Sequence, residues 1–171
     1  MTIHTASLIN PADDFNFITD RLAIGSVASR VTPGFVAIVS ILSGDPYDVK
    51  YGAPKPPSHY IDHQGVQRRV TILNIDQRDG EHGLGKHLSA ATSLIAASLE
   101  RGCVLVHCGA GLSRSVSVVA AYLCRYAGMR LDEAIGFIKE RRQGACPAEV
   151  FIAEITRWLR LDILSHTGPR R

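Results

Sequence analysis

Nine consecutive residues, His107-Cys108-Gly109-Ala110-Gly111-Leu112-Ser113-Arg114-Ser115, hold a thiol, an imidazole, a guanidinium and two hydroxyls beside two glycines. Before them runs the apolar segment Cys103-Val104-Leu105-Val106, the pattern of a buried strand. After them Val116, Val118, Val119, Ala120, Ala121, Tyr122 and Leu123 form an apolar helical pattern. The local order is therefore strand, tight loop, helix, with Cys108 at the strand end and Arg114 at the helix start. Such a loop aims several backbone N–H groups at one point, and its glycines permit the close approach and positive φ angles this requires. The helix N-terminus adds a partial positive charge. The predicted product is a cradle for a phosphate-sized dianion, formed by Gly109, Ala110, Gly111, Leu112, Ser113 and the planar fork of Arg114. The same field favours thiolate at Cys108. An ordinary Cys has a pKa of ~8.5, and cysteines at helix N-termini fall to ~3.5–7.5. A thiolate facing phosphorus is an activated nucleophile. The plainer alternative is a buried strand Cys followed by a glycine turn. A Walker-type nucleotide loop would need a Gly-Lys-Ser/Thr ending, which is missing.

Attack on a phosphomonoester expels an alkoxide or phenolate, and that oxygen needs a proton at the transition state. A carboxylic acid on a separate loop must supply it. Asp76 ends the apolar run Val70-Thr71-Ile72-Leu73-Asn74-Ile75, at the strand edge where sites of α/β proteins gather, and precedes Cys108 by 32 residues. Asp79 and Glu81 share the following polar, glycine-rich loop, which its composition predicts to be mobile, and they remain rivals for the role. Ser115 suits a helix N-cap. His107, buried by position next to the nucleophile, suits a satisfied core histidine. Ser113 contributes its backbone N–H more than its hydroxyl.

The rest of the chain supplies the scaffold. Arg21-Leu22-Ala23-Ile24-Gly25-Ser26 predicts a short first strand, and Phe35 to Leu42 a fully buried one. Residues 43–69 are dense in Pro, Gly and Tyr and predict a long connection with room for a small edge strand. Helices are expected over 86–101, from 114 to about 126, over 131–142, and after Pro147, which suits a first helical turn. In the last helix Phe151, Ile152, Ile155, Trp158, Leu159 and Ile163 form the apolar face. Residues 1–14 are expected to be an irregular arm and 166–171 a loose tail. The expected fold is α/β: one domain over 1–171, a small central, mostly parallel sheet flanked by helices.

Composition agrees with that size. The 171 residues are 46% hydrophobic and 20% charged, and no apolar run is long enough to span a membrane. The N-terminus has no basic region followed by an apolar core, so no secretory signal is expected. A net charge of +3 is too small to argue for a nucleic-acid partner. Of the four cysteines, Cys103, Cys124 and Cys146 are expected to be small buried hydrophobes. One of them pairing with an oxidised Cys108 is the alternative. A nucleophilic Cys108 needs a reducing compartment, so cytoplasm is inferred.

The stretch from His107 to Ser115 resembles the signature loop of the dual-specificity protein phosphatases, compact members of the cysteine-dependent protein tyrosine phosphatases. The similarity continues through Ala121-Tyr122-Leu123 and Leu131-Asp132-Glu133-Ala134-Ile135 to Arg141-Arg142. It covers residues 70–160 and extends to 17–42. The resemblance implies the same α/β fold and a cysteinyl-phosphate intermediate, with an acid following a strand at about the distance of Asp76. It implies that Ser115 donates to the Cys108 sulfur as phosphate leaves, and that His107 orients the loop and tunes Cys108. Family members often carry Asn after the proline that follows the Arg141-Arg142 helix, where Ala148 follows Pro147 here, so loop support is expected to differ. Inositol-lipid phosphatases often place Lys or Arg inside the loop, whereas positions 109–112 here are uncharged. That favours a phosphoprotein or phosphopeptide bearing one phosphate per site. Dual specificity for phosphotyrosine and phosphoserine/threonine follows from resemblance and shortness. The alternatives are a phosphatase of inositol lipid, RNA 5′ end or carbohydrate phosphate, and a non-catalytic phosphate-binding module. No metal or other cofactor is called for, because the cradle already supplies positive charge, and neither a nucleic-acid nor a membrane partner is expected.

Overall fold

The computed structural model describes residues 14–44 and 55–166, with side chains as far as 162. Among these residues, seven strands and four α-helices follow one another as β1 (Phe15–Phe17), β2 (Leu22–Gly25), β3 (Phe35–Leu42), β4 (His59–Ile61), β5 (Gln67–Arg69), β6 (Thr71–Asp76), α1 (Leu88–Leu99), β7 (Cys103–His107), α2 (Arg114–Ala127), α3 (Leu131–Arg141) and α4 (Glu149–His166). The main sheet has the order β1-β2-β7-β3-β6, parallel except for β1. Every residue of β3 is buried, the burial a parallel strand needs when both faces are covered.

The sheet faces separate with the period of two that a strand imposes. Leu22, Ile24, Ala37, Val39, Val104 and Val106 join one core with side chains of all four helices. Ala23, Ile38, Leu105 and Phe35 form a smaller cluster with Phe15 packed against it. Fully burying a Val, Leu, Ile or Phe side chain stabilises by roughly 1.5–3 kcal/mol. The helix behind the cradle is therefore rigid because Val116, Val118, Val119, Ala120 and Ala121 are all inaccessible. At its far end Gly128 takes φ 68 and its N–H returns to Leu123 O, a left-handed stop that suits glycine.

Parallel register brings the strand ends to one edge. Gly25 pairs with His107, Ser40 with His107, and Leu42 with Asp76. Cys108 therefore leaves the central strand at the edge where β6 delivers Asp76.

The elements match the sequence pattern apart from an unexpected first strand, Phe15–Phe17, a 3-10 turn over Val27–Val31, and the following differences. Part of the Pro/Gly-rich segment forms a separate antiparallel hairpin, β4 with β5, while residues 45–54 lie outside the described residues. The helix expected over 86–101 is a 3-10 turn, Leu84–His87, continuing into α1. Pro147 stands two residues before α4 rather than in its first turn. That helix runs to His166, so only residues beyond it, like 1–13 of the expected arm, lie outside the described residues, as does the side chain of Ile163.

Candidate active site

The loop from Cys108 to Ser113 turns its carbonyls outward. Val27 N–H donates to Gly109 O at 3.0 Å and Cys146 N–H to Leu112 O at 2.7 Å. The Arg142 guanidinium donates to Gly111 O at 2.6 Å through Nε and to Ala110 O at 3.1 Å. Ser117 donates to Ser113 O through both its N–H and its hydroxyl. In a trans peptide the C=O and the following N–H point in opposite directions. Tying the carbonyls to the outside therefore turns the following amides to the inside, an arrangement that suits an anion although the tetrapeptide 109–112 is uncharged. Gly111 is the position with no alternative residue. Its φ is 72, and a Cβ there would overlap Gly25 O and lie 2.6 Å from an Arg142 nitrogen.

Cys108 sits at the floor, 2% exposed. Gly111 N–H donates to its Sγ at 3.2 Å, and Ser115 Oγ lies 3.3 Å from the same sulfur. Burial pushes a thiol up, as it does foremost at Cys103 and at Cys124, the latter raised to about 11 with help from the Asp132 charge. Cys108 suffers burial too, yet its pKa lies below the ordinary value. Hydrogen bonds from the Ser115 hydroxyl and backbone N–H, the Arg114 charge and the Gly111 N–H together outweigh the burial. Ser115 is wholly buried in the first turn of α2, so its hydroxyl serves the sulfur and not the helix end as a cap.

Arg114 opens α2, and its Nη1 donates to Gln77 O at 3.0 Å. Its Nε is buried with no hydrogen-bond partner among the described residues. Glycine at 109 lets the guanidinium lie close, since a Cβ there would stand 3.2 Å from its Nη2. His107 is fully buried, its Nδ1 3.3 Å from Cys108 O. Burial holds its pKa down to about 4, so the ring is neutral at pH 7.

Asp76 is exposed at the end of β6, and its carboxylate accepts from Gly44 N–H at 2.8 Å. Asp79 and Glu81 are also exposed, with Glu81 3.7 Å from Arg78. The loop that carries them is tied down despite its glycines. The buried Gln77 amide donates to Arg78 O and Glu81 O, both at 2.8 Å. Glu154 of α4 accepts from Gly83 and Gly85.

Three of these supports are not legible as a site in the sequence. Glu154 acts on backbone groups about 70 residues away, and Gln77 joins its own loop to Arg114 through a main-chain carbonyl that no residue type announces. Arg142 ends an amphipathic helix, where an arginine is ordinarily solvated, yet it is 4% exposed. It also reaches Asn16 Oδ1 at 2.9 Å and Asp14 Oδ1 at 3.2 Å. Ala148, after Pro147, donates its N–H to Ser113 Oγ at 3.2 Å. Cys146, expected to be buried, is exposed, while Cys103 and Cys124 are half-buried, and all four thiols are free. Among the described residues no helix is long and apolar enough to cross a membrane.

A loop of this shape suits a tetrahedral oxyanion beside a thiolate, the arrangement on which cysteine-dependent phosphatases rely. The model of the dual specificity phosphatase catalytic domain matches residues 48–160. The chain is 32% identical to the putative tyrosine phosphatase 123R of invertebrate iridescent virus 6, over 83% of this chain and 92% of that protein. It is 28% identical to dual specificity protein phosphatase 1B of Arabidopsis thaliana, over 91% of this chain and 87% of that protein. A crystal structure of a mouse putative dual specificity phosphatase complexed with zinc tungstate superposes with a TM-score of 0.72 at 25% identity, over 99% and 100% of the two chains. The chain belongs to the dual-specificity phosphatase family and is a cysteine-dependent protein phosphatase, a phosphoric monoester hydrolase.

Proposed function

We propose that the chain hydrolyses phosphotyrosine and phosphoserine/threonine in proteins through a cysteinyl-phosphate intermediate, in the cytoplasm. The observation that carries this reading is the Cys108 sulfur, buried yet favouring thiolate, within reach of the Gly111 amide and the Ser115 hydroxyl. The thiolate attacks phosphorus in line with the leaving oxygen. Charge on the three equatorial oxygens is met by the inward amides of residues 109–114 and by Arg114, already aligned by Gln77 O. Asp76 gives the leaving oxygen its proton. In its support, Asp76 shares the sheet edge with Cys108 and neighbours the residue that touches Arg114. Water then attacks the phosphocysteine, with the Asp76 carboxylate as base and the Ser115 hydroxyl donating to the departing sulfur.

The uncharged rim at 109–112 supports a substrate with one phosphate per site, and a thiolate nucleophile supports a reducing compartment. The test is turnover across pH on peptides bearing each of the three phosphoresidues and on an aryl phosphate, with tungstate or vanadate as inhibitor. Hydrolysis of all three peptides, loss of turnover in Cys108→Ser, and a bell-shaped profile are expected. Asp76→Asn is expected to depress turnover strongly with a poor leaving group. Selective loss in Asp79→Asn alone would move the acid to Asp79, and a preference for an inositol phosphate over every phosphopeptide would overturn the substrate class.

A further inference from the structure

The loop from Asp76 to Gly85 carries three glycines, and such a chain has no intrinsic reason to hold a carboxyl group steady over Cys108. Its near end is fixed by Gln77, through the carbonyl to Arg114 and the amide to Arg78 O and Glu81 O. Its far end is fixed by one side chain. Glu154 Oε1 accepts from Gly83 N–H at 2.8 Å and Oε2 from Gly85 N–H at 3.0 Å. Each oxygen thus holds one amide, on either side of Leu84. These amides open the 3-10 turn that leads into α1, and no side chain of the turn's own N-cap residue, Gly83, caps it. Glu154 therefore caps the turn from another helix, with a full negative charge at its positive end.

The anchor itself does not move easily. Glu154 lies on α4 between Phe151, Ile155 and Trp158, all in the core, and Trp158 Nε1 donates to Ser89 Oγ of α1 at 2.8 Å. The Glu154 side chain is 18% exposed, so its charge depends on those amide partners. His82 approaches at 3.6 Å but is 87% exposed, too solvated to be the main support. Gly83 takes φ 128, a backbone conformation that suits glycine and orients its N–H at the carboxylate.

We infer that Glu154 is a positioning residue for the proton donor: its bidentate grip on Gly83 and Gly85 sets where the loop places its acid relative to Cys108. This rests on the reading of that loop as the source of the acid. Nothing in the grip touches Cys108 or Arg114, so it bears on proton delivery and leaves thiolate formation alone.

The experiment is Glu154→Gln, a swap of equal shape that puts an NH2 donor where one amide donor now finds oxygen. Three quantities are compared with the parent: kcat on phenyl phosphate, kcat on an aryl phosphate whose leaving group needs no protonation, and the rate of Cys108 alkylation by iodoacetate. A displacement of the order of 1 Å costs about 10²-fold in a positioned reaction. The expected result is a ~10- to 100-fold fall on phenyl phosphate. On the activated ester the change stays under about threefold, the alkylation rate is unchanged, and the basic limb of the kcat profile flattens, as when an acid is lost. Equal losses on both esters, a changed alkylation rate, or no loss at all would overturn the inference. If Glu154→Gln fails to fold, Gly85→Pro, which removes one of the two donors, is measured in the same way and judged by the same outcomes. The double variant with Asp76→Asn separates the two readings. No further loss is expected beyond Asp76→Asn. Should Asp76→Asn lack a leaving-group-dependent loss while Glu154→Gln shows one, the assignment of Asp76 fails and the positioning role stands.

Discussion

Arg142→Ala separates the cradle from its scaffold. The guanidinium is buried and makes four hydrogen bonds, two of them to the carbonyls of Ala110 and Gly111. The contacts to Asp14 and Asn16 end on exposed residues and contribute little. The Gly111 carbonyl carries most of the cost, because Gly111 is buried while Ala110 is exposed to water, and orphaning a buried acceptor costs about 1–3 kcal/mol. That predicts a loss of about 1–3 kcal/mol, a sizeable share of the ~5–15 kcal/mol that a domain has in reserve. A free carbonyl can also turn inward. That reverses its peptide, replaces an amide donor with an acceptor, and repels the substrate dianion. Urea denaturation measures the first effect and the vanadate inhibition constant the second. We expect a lowered midpoint and a vanadate affinity reduced about 10²-fold, the scale set by one misplaced contact. Arg142→Lys, which keeps charge but not the fork, should fall between. If Arg142→Ala is destabilised but binds vanadate within twofold of the parent, the outward-carbonyl argument is refuted and Arg142 is only a structural brace.

Three further outcomes are expected. Ser115→Ala removes a donor to the sulfur, so the midpoint of iodoacetate alkylation against pH should move up, and turnover should fall by about 10²-fold with a burst of phenol before the slow phase. His107 titrates at about 4 when folded and 6.5 otherwise, so the unfolded chain binds the extra proton between those values. Stability is therefore complete above pH 6.5 and falls as pH drops toward 4, by up to about 3 kcal/mol; His107→Gln should flatten that slope in denaturation curves. Gly111→Ala forces a side chain into left-handed backbone, at about 1–2 kcal/mol, and against Gly25 O; calorimetry should show a lowered Tm, with activity lost at temperatures where the fold persists.

Local chemistry was readable wherever its cause is local. The apolar runs at Phe35–Leu42 and Cys103–His107 are buried strands because nothing else hides so many consecutive branched side chains. The cradle follows from glycine, helix start and arginine within one short loop. Failures came where a long-range partner overrides a local habit. Ser115 has the residue type of a cap, yet a buried sulfur 3.3 Å away claims its hydroxyl. The loop 76–85 has the composition of a mobile segment, yet Gln77, Arg114 and Glu154 hold it. Cys146 has the residue type of a core filler, but it lies in the exposed link before α4.

By itself, then, the sequence determined the reaction class, since a thiolate, an amide cradle and a guanidinium can be specified by residues that are neighbours along the chain. Only the tertiary structure decided what makes those residues work. The outward pull on each loop carbonyl comes from Val27, Arg142 and Cys146, from three separate places in the chain. The approach of Asp76 to the same edge depends on parallel register across β3, and the hold on its loop depends on a carboxylate 71 residues beyond Gly83. Peptide orientation and loop placement are set by contacts across space, and no spacing along the chain encodes them.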